Sequence, residues 1–263
     1  MVDSADGDHH NRGSCNREPH SQGCKQGMRL GIVCAMHQEA AALGIKAIPM
    51  QLMELPGVGL MLLGGMGHER ARAAAALLAD ARVDALLSWG MAGALAPDLV
   101  SGQILCPRRV LTDDGQSYPV DPVLHADCLD KVCPDALSGD LFCSEAPVLT
   151  VAAKQELYCH HAAIAVDMES AAIAAVALER GLPFVVLRCV LDSSQTALPS
   201  LCISAVDAYG QVQTWSLLRS LLSRPTESFL LPALARQSRL ARQRLTSMAA
   251  YLPTLALRTG EPA

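Results

Sequence analysis

Three acidic residues stand at points in the sequence where a parallel sheet would bring them together. Glu169 opens a helix directly after a short apolar run, and Asp192 follows the continuous apolar run 184–190, whose composition is that of an interior strand. Glu39 comes soon after another such run, near residue 35. Ligands bind at the carboxyl ends of the strands in open α/β sheets. We therefore expect the three acids to face one crevice.

Each acid also has a structural interpretation. A glutamate in the first turn of a helix, such as Glu169, stabilises the helix dipole, and a carboxylate after a strand is often a loop residue. For any one acid the structural and functional interpretations are about equally good. The three acids together favour a functional site.

Two glycine-containing segments could lie against a ligand. Residues 64–67 form a glycine-rich turn between a strand and a helix, and such a turn, here with Gly65, can present backbone N–H groups to an anion. A tight turn explains these glycines equally well. Gly90 and Met91 begin a run of small residues after the predicted strand 85–89, which would let a ligand or another backbone approach closely.

Composition narrows the class of protein. The chain has 263 residues, of which 51% are hydrophobic, so one large α/β domain can bury its core. A net charge of −5 and 3% aromatic residues argue against nucleic-acid binding. The ten cysteines form no C-x-x-C pair, so buried thiols in a cytoplasmic protein are expected rather than disulfides or a metal site. No apolar run reaches membrane-spanning length, and the amino terminus lacks an apolar signal segment.

Strand-like and helix-like segments alternate along the chain. This alternation predicts a mixed, mainly parallel sheet with helices on both faces. Residues 112–147, which contain four prolines, are predicted to be irregular. The predicted strands are 29–35, 50–55, 59–63, 85–89, 104–111, 164–166 and 184–190, and the predicted helices are a short one ending near residue 44, then 68–81, 148–158 and 170–180.

Both ends of the chain differ from the segment between them. Residues 1–27 are polar and without apolar periodicity, which predicts a disordered tail. Residues 28–222 are predicted to form the catalytic domain, and 223–263 a C-terminal extension. Within that extension, 229–252 has apolar residues at helical spacing among arginines. Such a basic amphipathic helix could contact an anionic membrane at the inner face, or could pack on its own domain or a partner subunit.

Four blocks of sequence resemble those of a known superfamily. They are GIVCAMHQEA at 31–40, GGMGHERARAAAALL at 64–78, SWGMAGAL at 88–95 and AVDMESAAIAAVALERGLPFVVLRCVLD at 165–192. In this order they resemble the purine nucleoside phosphorylase and methylthioadenosine/S-adenosylhomocysteine nucleosidase superfamily over about 28–222. The resemblance implies a three-layer α/β/α fold, a homodimer, and cleavage of a nucleoside N-glycosidic bond.

The sequence after the last block sharpens the resemblance. The segments 197–199, 206–210, 221–225 and 230–234 are similar to those of the hopanoid-biosynthesis-associated phosphorylase subgroup, which is thought to remove adenine from adenosylhopane. The implied function is release of adenine from a 5′-modified adenosine, here adenosylhopane. The alternatives are a methylthioadenosine/S-adenosylhomocysteine nucleosidase, another purine nucleoside phosphorylase, or a non-catalytic nucleoside-binding module. Three retained carboxylates argue against the binding module, because binding alone needs no acid at the leaving base.

The resemblance also implies roles for individual residues. Asp192 matches the acid that protonates or hydrogen-bonds N7 of the purine, and Glu39 matches the residue that positions the attacking water. Glu169 matches the residue that binds the ribose hydroxyls, and its charge would favour a cationic sugar. Met168 matches a residue that packs on the sugar, and Asp167 belongs to the same substrate-binding segment.

The sequence departs from the phosphorylase pattern at two places. Ser88 and Met91 stand where phosphorylases of the superfamily carry an arginine and a serine that bind phosphate, and Glu39 would repel phosphate. Water is therefore the expected nucleophile, with phosphate kept as a possible co-substrate and no other cofactor or metal expected. An aromatic residue to stack on the base is also missing, and Val148 or Leu149 is nearest to its place.

Overall fold

The computed structural model describes residues 27–199, 206–211 and 231–257, so residues 1–26 of the predicted disordered tail lie outside the described part. Within these ranges the strands are β1 (Leu30–Cys34), β2 (Leu52–Leu55), β3 (Gly59–Leu63), β4 (Ala85–Ala94), β5 (Ile104–Leu105), β6 (Arg109–Leu111), β7 (Ser117–Pro119), β8 (Asp140–Cys143), β9 (Ala165–Asp167) and β10 (Phe184–Asp192). The helices are α1 (His37–Ala42), α2 (His68–Asp80), α3 (Pro122–Asp127), α4 (Val151–His161), α5 (Ser170–Arg180), α6 (Leu231–Ala249) and α7 (Leu252–Ala256), with one π-helical turn at Cys128–Val132.

All the described strands join one mixed sheet. Its main path runs β2-β3-β1-β4-β9-β8-β6-β7, with β10 on β4 and β5 on β10. The pairs β1–β3, β1–β4, β4–β10, β6–β8 and β8–β9 are parallel, whereas β2–β3, β4–β9, β5–β10 and β6–β7 are antiparallel. The predicted mixed, mainly parallel sheet is therefore confirmed.

Strand β4 is the centre of this sheet. Its first half pairs with β1, nearly its whole length pairs with β10, and its last two residues, Gly93 and Ala94, pair with β9. The parallel strands β1, β4 and β10 thus end at the same edge, and β9 meets them there. This arrangement brings the residues that follow β1, the second half of β4 and the end of β10 to one place.

Helices cover both faces of the sheet, which gives three layers. Along β1, Leu30, Ile32 and Cys34 point into one core and Val33 into the other, because successive side chains of a strand face opposite sides. Helices α2 and α5 supply their buried alanines to the core containing Val33, and α1, α3, α6 and α7 pack on the opposite core. Both cores are apolar, so strands such as β10 read as continuous hydrophobic runs.

Helix α6 packs its apolar face on the domain. Ala241, Leu245 and Met248 are buried against the same core as β1, and α6 lies against β10 and α1. Arg236, Arg239 and Arg242 remain exposed, whereas Arg244 pairs with Asp135. The sequence analysis left open contact with a membrane, with a partner subunit or with the helix's own domain. In the described residues the helix packs on its own domain. No helix in the described ranges combines the length and apolar character needed to cross a membrane.

Several predicted elements need correction. The predicted strand 104–111 is split into β5 and β6, since Pro107 has no N–H with which to continue a ladder. Residues 112–147 are not irregular: they contain β7, α3, the π-helical turn and β8. Helix α3 begins at Pro122 after Asp121, whose carboxylate accepts bonds from two backbone N–H groups of the first turn, which is a recognisable start signal. Helix α4 begins three residues later than predicted, because Thr150 caps it.

Candidate active site

A cavity of about 150 Å³ lies where β1, β4, β9 and β10 converge. Its polar lining consists of four carboxylates, and its remaining walls are apolar and contain four methionines. A volume of this size accommodates a group about as large as benzene, so a larger ligand would extend beyond it. The lining side chains and backbone belong to Ala35, Met36, Glu39, Met66, Met91, Ala92, Gly93, Ala146, Pro147, Val148, Val166, Asp167, Met168, Glu169, Leu191, Asp192 and Leu198.

Glu39 is held by three backbone N–H groups. Its Oε2 accepts from the N–H of Ala35 (2.9 Å) and Met36 (3.0 Å), and its Oε1 accepts from the N–H of Met91 (2.9 Å). The Met36 bond is half of a capping box, since Glu39 is the third residue of α1. Burial raises the pKa of Glu39, although Arg188 and the three N–H groups oppose the rise. Glu39 is thus fixed in position, and its protonation is adjustable.

Arg188 is the buried cation near Glu39 and Glu169. It lies inside β10 and is buried; its guanidinium pairs with Asp167 at 2.5 Å and lies 3.8 Å from Glu169. It also donates to the hydroxyls of Ser88 (2.8 Å) and Ser170 (3.2 Å). Burial alone would lower the pKa of Arg188, but the nearby carboxylates raise it. Arg188 therefore stays charged and ties β4, β9 and β10 together.

Asp167 and Glu169 flank Arg188 in different ways. Oδ2 of Asp167 accepts from the hydroxyl of Ser170 at 2.5 Å in addition to pairing with Arg188, so protein groups engage that oxygen. Glu169 is the N-cap residue of α5, but its side chain does not cap that helix; its Oε1 accepts from the N–H of Gly67 at 3.0 Å. Burial raises the pKa of Glu169 to about 7, with Arg188 opposing. Its second oxygen lies no nearer to Arg188 than 3.8 Å, which leaves it able to accept from a ligand.

Asp192 has a cation of its own. It is the last residue of β10 and is buried, and its Oδ2 accepts from Nζ of Lys154, which is completely buried in α4. Lys154 also donates to the carbonyls of Ser193 (2.9 Å) and Thr196 (2.8 Å). Burial raises the pKa of Asp192, and Lys154 works against that rise. Asp192 is therefore an acid whose proton affinity depends on one neighbouring ammonium group.

The site as a whole carries more negative than positive groups. Four buried carboxylates, Glu39, Asp167, Glu169 and Asp192, surround it, against the two buried cations Arg188 and Lys154. An excess of carboxylates favours a cationic ligand or transition state and opposes the entry of an anion. No cluster of His, Cys, Asp and Glu suited to hold a metal ion occurs in the part of the chain that the structure describes.

Most of the residues predicted from the sequence lie around this cavity, and three do not. Leu149 is not among the lining residues; its carbonyl accepts from the N–H of Leu198. Gly65 has a positive φ of 96° and packs against Arg70 and Tyr209. Gly90 lies beneath the site: a β-carbon there would stand 2.3 Å from Glu39 and 2.4 Å from Arg188. Glycine is required at this position for the carboxylate and the guanidinium to meet over β4.

The sequence reasoning missed Arg188 and Lys154. Arg188 carried a signal, because a charged residue in the middle of a continuous apolar strand is buried and needs a partner. Lys154 carried none, since it lies in a helix with several polar neighbours, which is typical of a surface lysine. Only its packing against the loop after β10 identifies it.

Comparisons with known proteins agree with this architecture. The family model described as "Phosphorylase superfamily" matches residues 29–207. Among similar solved structures is a 5′-methylthioadenosine/S-adenosylhomocysteine nucleosidase from Neisseria meningitidis in complex with methylthio-immucillin-A, at 19% identity and a TM-score of 0.62, covering 85% of this chain and 97% of that one. A putative nucleosidase of the same kind from Francisella philomiragia has 16% identity and a TM-score of 0.63, with 88% and 99% covered. Futalosine hydrolase of Helicobacter pylori has 18% identity and a TM-score of 0.58, with 85% and 98% covered.

Proposed function

The chain belongs to the phosphorylase superfamily of enzymes, and from this premise we propose that it cleaves the N-glycosidic bond of a 5′-modified adenosine and releases adenine. Cleavage of an N-glycosidic bond is supported by the fold that the chain shares with the nucleosidases and the futalosine hydrolase. The finer choice of substrate, adenosylhopane, is supported by the similarity of the segments after Asp192 to the hopanoid-associated subgroup.

One observation carries the proposal: the cavity has two chemically distinct ends. At one end Glu39 and Glu169 lie near Arg188, whose charge opposes the rise in their pKa values, and at the other end Asp192 pairs with Lys154. Breaking a bond between a sugar and a purine needs stabilisation of a cationic sugar and an acid for the leaving base. The carboxylate pair suits the sugar, and Asp192 suits the base, because burial favours its protonated form.

The proposed reaction divides the work among three carboxylates. Asp192 gives its proton to N7 of the purine while the C1′–N9 bond breaks and its electron pair moves into the base. Glu169 accepts hydrogen bonds from the ribose hydroxyls through the oxygen that Gly67 does not occupy. Glu39 orients a water for attack on C1′ and takes up the proton that this water releases.

Water is the proposed nucleophile rather than phosphate. Ser88, which stands where phosphorylases of the superfamily carry an arginine, is buried and bonded to Arg188 and Ser170. Arg188 itself is engaged by Asp167 and the two hydroxyls, so it is not free to bind phosphate. A phosphate ion would also approach Glu39 and Glu169, and the repulsion between like charges in a buried site is large. Both arguments favour hydrolysis.

The walls of the cavity fit an apolar 5′ substituent. Met36, Met66, Met91 and Met168 line it together with aliphatic residues, and methionine adapts readily to irregular apolar shapes. The volume suits one ring-sized group, so the 5′ substituent would lie along or beyond these walls. 5′-Methylthioadenosine is the second candidate substrate, because nucleosidases of similar structure are named for it and its 5′ substituent is short and apolar.

The experiment incubates the full-length protein with adenosylhopane, 5′-methylthioadenosine and S-adenosylhomocysteine, each with and without phosphate. We expect adenine and a free ribosyl product in phosphate-free buffer, with adenosylhopane turned over fastest. Strict phosphate dependence with a ribose 1-phosphate product would overturn hydrolysis. Binding of all three compounds without adenine release would indicate the non-catalytic module. Asp98→Asn, which changes an exposed acid, serves as the active control for variants of the buried acids.

Membrane contact by α6 is a further part of the proposal. A hopane skeleton is apolar enough to reside in a bilayer, so the enzyme would meet its substrate at the interface. Since the apolar face of α6 is buried, contact would rest on the exposed Arg236, Arg239 and Arg242. Flotation with anionic and neutral vesicles tests this: replacing the three arginines by glutamine should abolish binding to anionic vesicles. Equal flotation of both proteins would reject the contact.

A further inference from the structure

Lys154 is the most deeply buried cation among the described residues that has no part in the reaction outlined above. Its exposed fraction is 0%, and Nζ donates to Asp192 Oδ2 and to the carbonyls of Ser193 and Thr196. An ammonium group has three N–H donors, so each has an acceptor. Burying a lysine is unfavourable unless its charge is compensated. The compensation here comes from one carboxylate, and that carboxylate is the proposed acid.

The surroundings of Lys154 place it behind the acid. Helix α4, which carries it, begins just after the cavity-lining residues 146–148, with Thr150 as the capping residue. The loop after β10 wraps over Nζ through two carbonyls. Lys154 engages Oδ2 of Asp192, and a β-carbon at Gly93 would stand 3.5 Å from Oδ1 and 3.7 Å from Oδ2. Both oxygens therefore lie beside Gly93, which lines the cavity, and Oδ1, which Lys154 does not bind, is the one available to a ligand.

We propose that Lys154 is a positioning residue for the departing base: it holds Asp192 by Oδ2 and stabilises the negative charge that Asp192 acquires when its proton passes to the purine. This inference rests on the proposed function. In the step considered, the O–H bond at Oδ1 breaks, the N7–H bond forms, and the C1′–N9 electron pair moves into the ring. Asp192 is left as a carboxylate facing the Lys154 ammonium.

Lys154 therefore makes Asp192 a stronger acid, and it also narrows the pH range over which Asp192 stays protonated. Burial raises the pKa of Asp192 and Lys154 lowers it; the loop between Ser193 and Leu198 and the facing part of β4 contribute no charged residue. The other charged groups lining the cavity are Glu39, Asp167 and Glu169; Arg188 pairs with Asp167 and lies 3.8 Å from Glu169, and its charge also acts on Glu39. Without Lys154 the carboxyl would keep its proton to higher pH and would release it less readily.

The test compares Lys154→Met with the wild type across pH, using adenosylhopane and 5′-methylthioadenosine. We expect the alkaline limb of kcat to move up by about 1–3 pH units, since an adjacent cation lowers a carboxyl pKa by that amount. We also expect the low-pH plateau to fall roughly tenfold or more, because a weaker acid transfers its proton more slowly. A merely structural role would lower activity without moving the limb. An unchanged alkaline limb in an active variant would overturn the proposal.

Lys131→Met is the matched control, because Lys131 pairs with Asp127 at the surface and should leave the profile unchanged. If Lys154→Met does not fold, nuclear magnetic resonance of the wild type gives the answer. With ¹³C-labelled aspartate, and Asp192→Asn for assignment, the Asp192 carboxyl should titrate over the same pH range as the alkaline limb of kcat. A titration of Asp192 that does not coincide with this limb would overturn the proposal. Absence of adenine release by the wild type would instead count against the proposed function.

Discussion

The two ends of the cavity hold their carboxylates by different means. Glu39 is anchored by backbone N–H groups that follow β1 and lie within β4, and the charge of Arg188 acts on it from the neighbouring strand β10. Asp192 is anchored by one side chain, Lys154, from a helix 38 residues away in sequence. The Glu39 end is thus held by backbone groups of the sheet and its edge, and the Asp192 end by a single side-chain contact between α4 and the end of β10.

Because of this difference, the position of Glu39 is fixed, whereas the pKa of Asp192 depends on one contact. A carboxylate bound by several N–H groups keeps its position when its protonation changes, because the donors belong to the backbone of β4 and of the residues directly after β1. A carboxylate bound by one ammonium group responds strongly when that group is altered. We therefore expect changes at the Asp192 end to affect chemistry and its pH dependence, and changes at the Glu39 end to affect both chemistry and the integrity of the sheet edge.

The largest expected effect is that of Asp192→Asn. Loss of a general acid should reduce adenine release by about 10²–10⁴, measured as kcat on the preferred substrate. The variant also leaves the Lys154 ammonium without its carboxylate, and breaking a buried pair costs about 3–5 kcal/mol in the free energy of unfolding.

The double variant Asp192→Asn with Lys154→Met separates the two consequences. It removes both charges together, so chemical denaturation should show most of the stability restored while adenine release stays lost. Near-normal turnover in a folded Asp192→Asn protein would refute the role of Asp192 as the acid.

A smaller effect is expected from the titration of Glu169. Its folded-state pKa of about 7 lies above its ordinary value of 4.5. A raised pKa means that the folded state binds the proton more tightly, so this contribution to stability is complete below pH 4.5 and is lost as pH rises towards and through 7. The shift corresponds to about 3 kcal/mol in the free energy of unfolding.

The measurement is urea denaturation between pH 4.5 and 8 for the wild type and Glu169→Gln. The decline in stability over this range should be smaller in the variant, because glutamine does not titrate. Glu54→Gln, a change in β2 outside the cavity lining, is the control and should keep the decline of the wild type. Parallel pH profiles for the wild type and Glu169→Gln would contradict the prediction.

The smallest expected effects are those of adding one methyl group at each end of the cavity, in Gly90→Ala and in Gly93→Ala. In Gly90→Ala the new β-carbon would lie within 2.4 Å of both Glu39 and Arg188, so the variant should lose about 1–3 kcal/mol of stability through overpacking. In Gly93→Ala the nearest atoms are Asp192 Oδ1 and a Val166 methyl group at 3.5 Å, which is ordinary contact. We expect its stability to change little and its Michaelis constant to rise, since the methyl group enters the cavity. Equal melting temperatures for the two variants would show that the ends do not differ in this way.

Much of the fold could be predicted from local patterns. Helix α5 has the predicted bounds, because its alanine-rich sequence ends at Gly181, which takes the left-handed conformation with φ of 63°. Strands β2 and β3 fall within the predicted runs 50–55 and 59–63, and they pair antiparallel. The prediction failed for β8, a strand of four residues, because four residues show too little periodicity to be distinguished from a loop.

The acidic groups that line the cavity were also evident from the sequence, because carboxylates at the ends of apolar strands have few purely structural explanations when three occur together. The sequence could not predict the pKa values of these carboxylates. Those values depend on Arg188, which lies across β4 from Glu39, and on Lys154, whose position in sequence gives no sign of burial.

The sequence by itself therefore determined most of the strands and helices and the sheet edge at which Glu39, Glu169 and Asp192 gather. Only the tertiary structure decided which cation each carboxylate meets. The physical reason is that secondary structure follows from the periodicity of neighbouring residues, whereas a buried pair such as Lys154 and Asp192 forms between segments that no periodic pattern connects. The electrostatics of the site belong to that second kind of information.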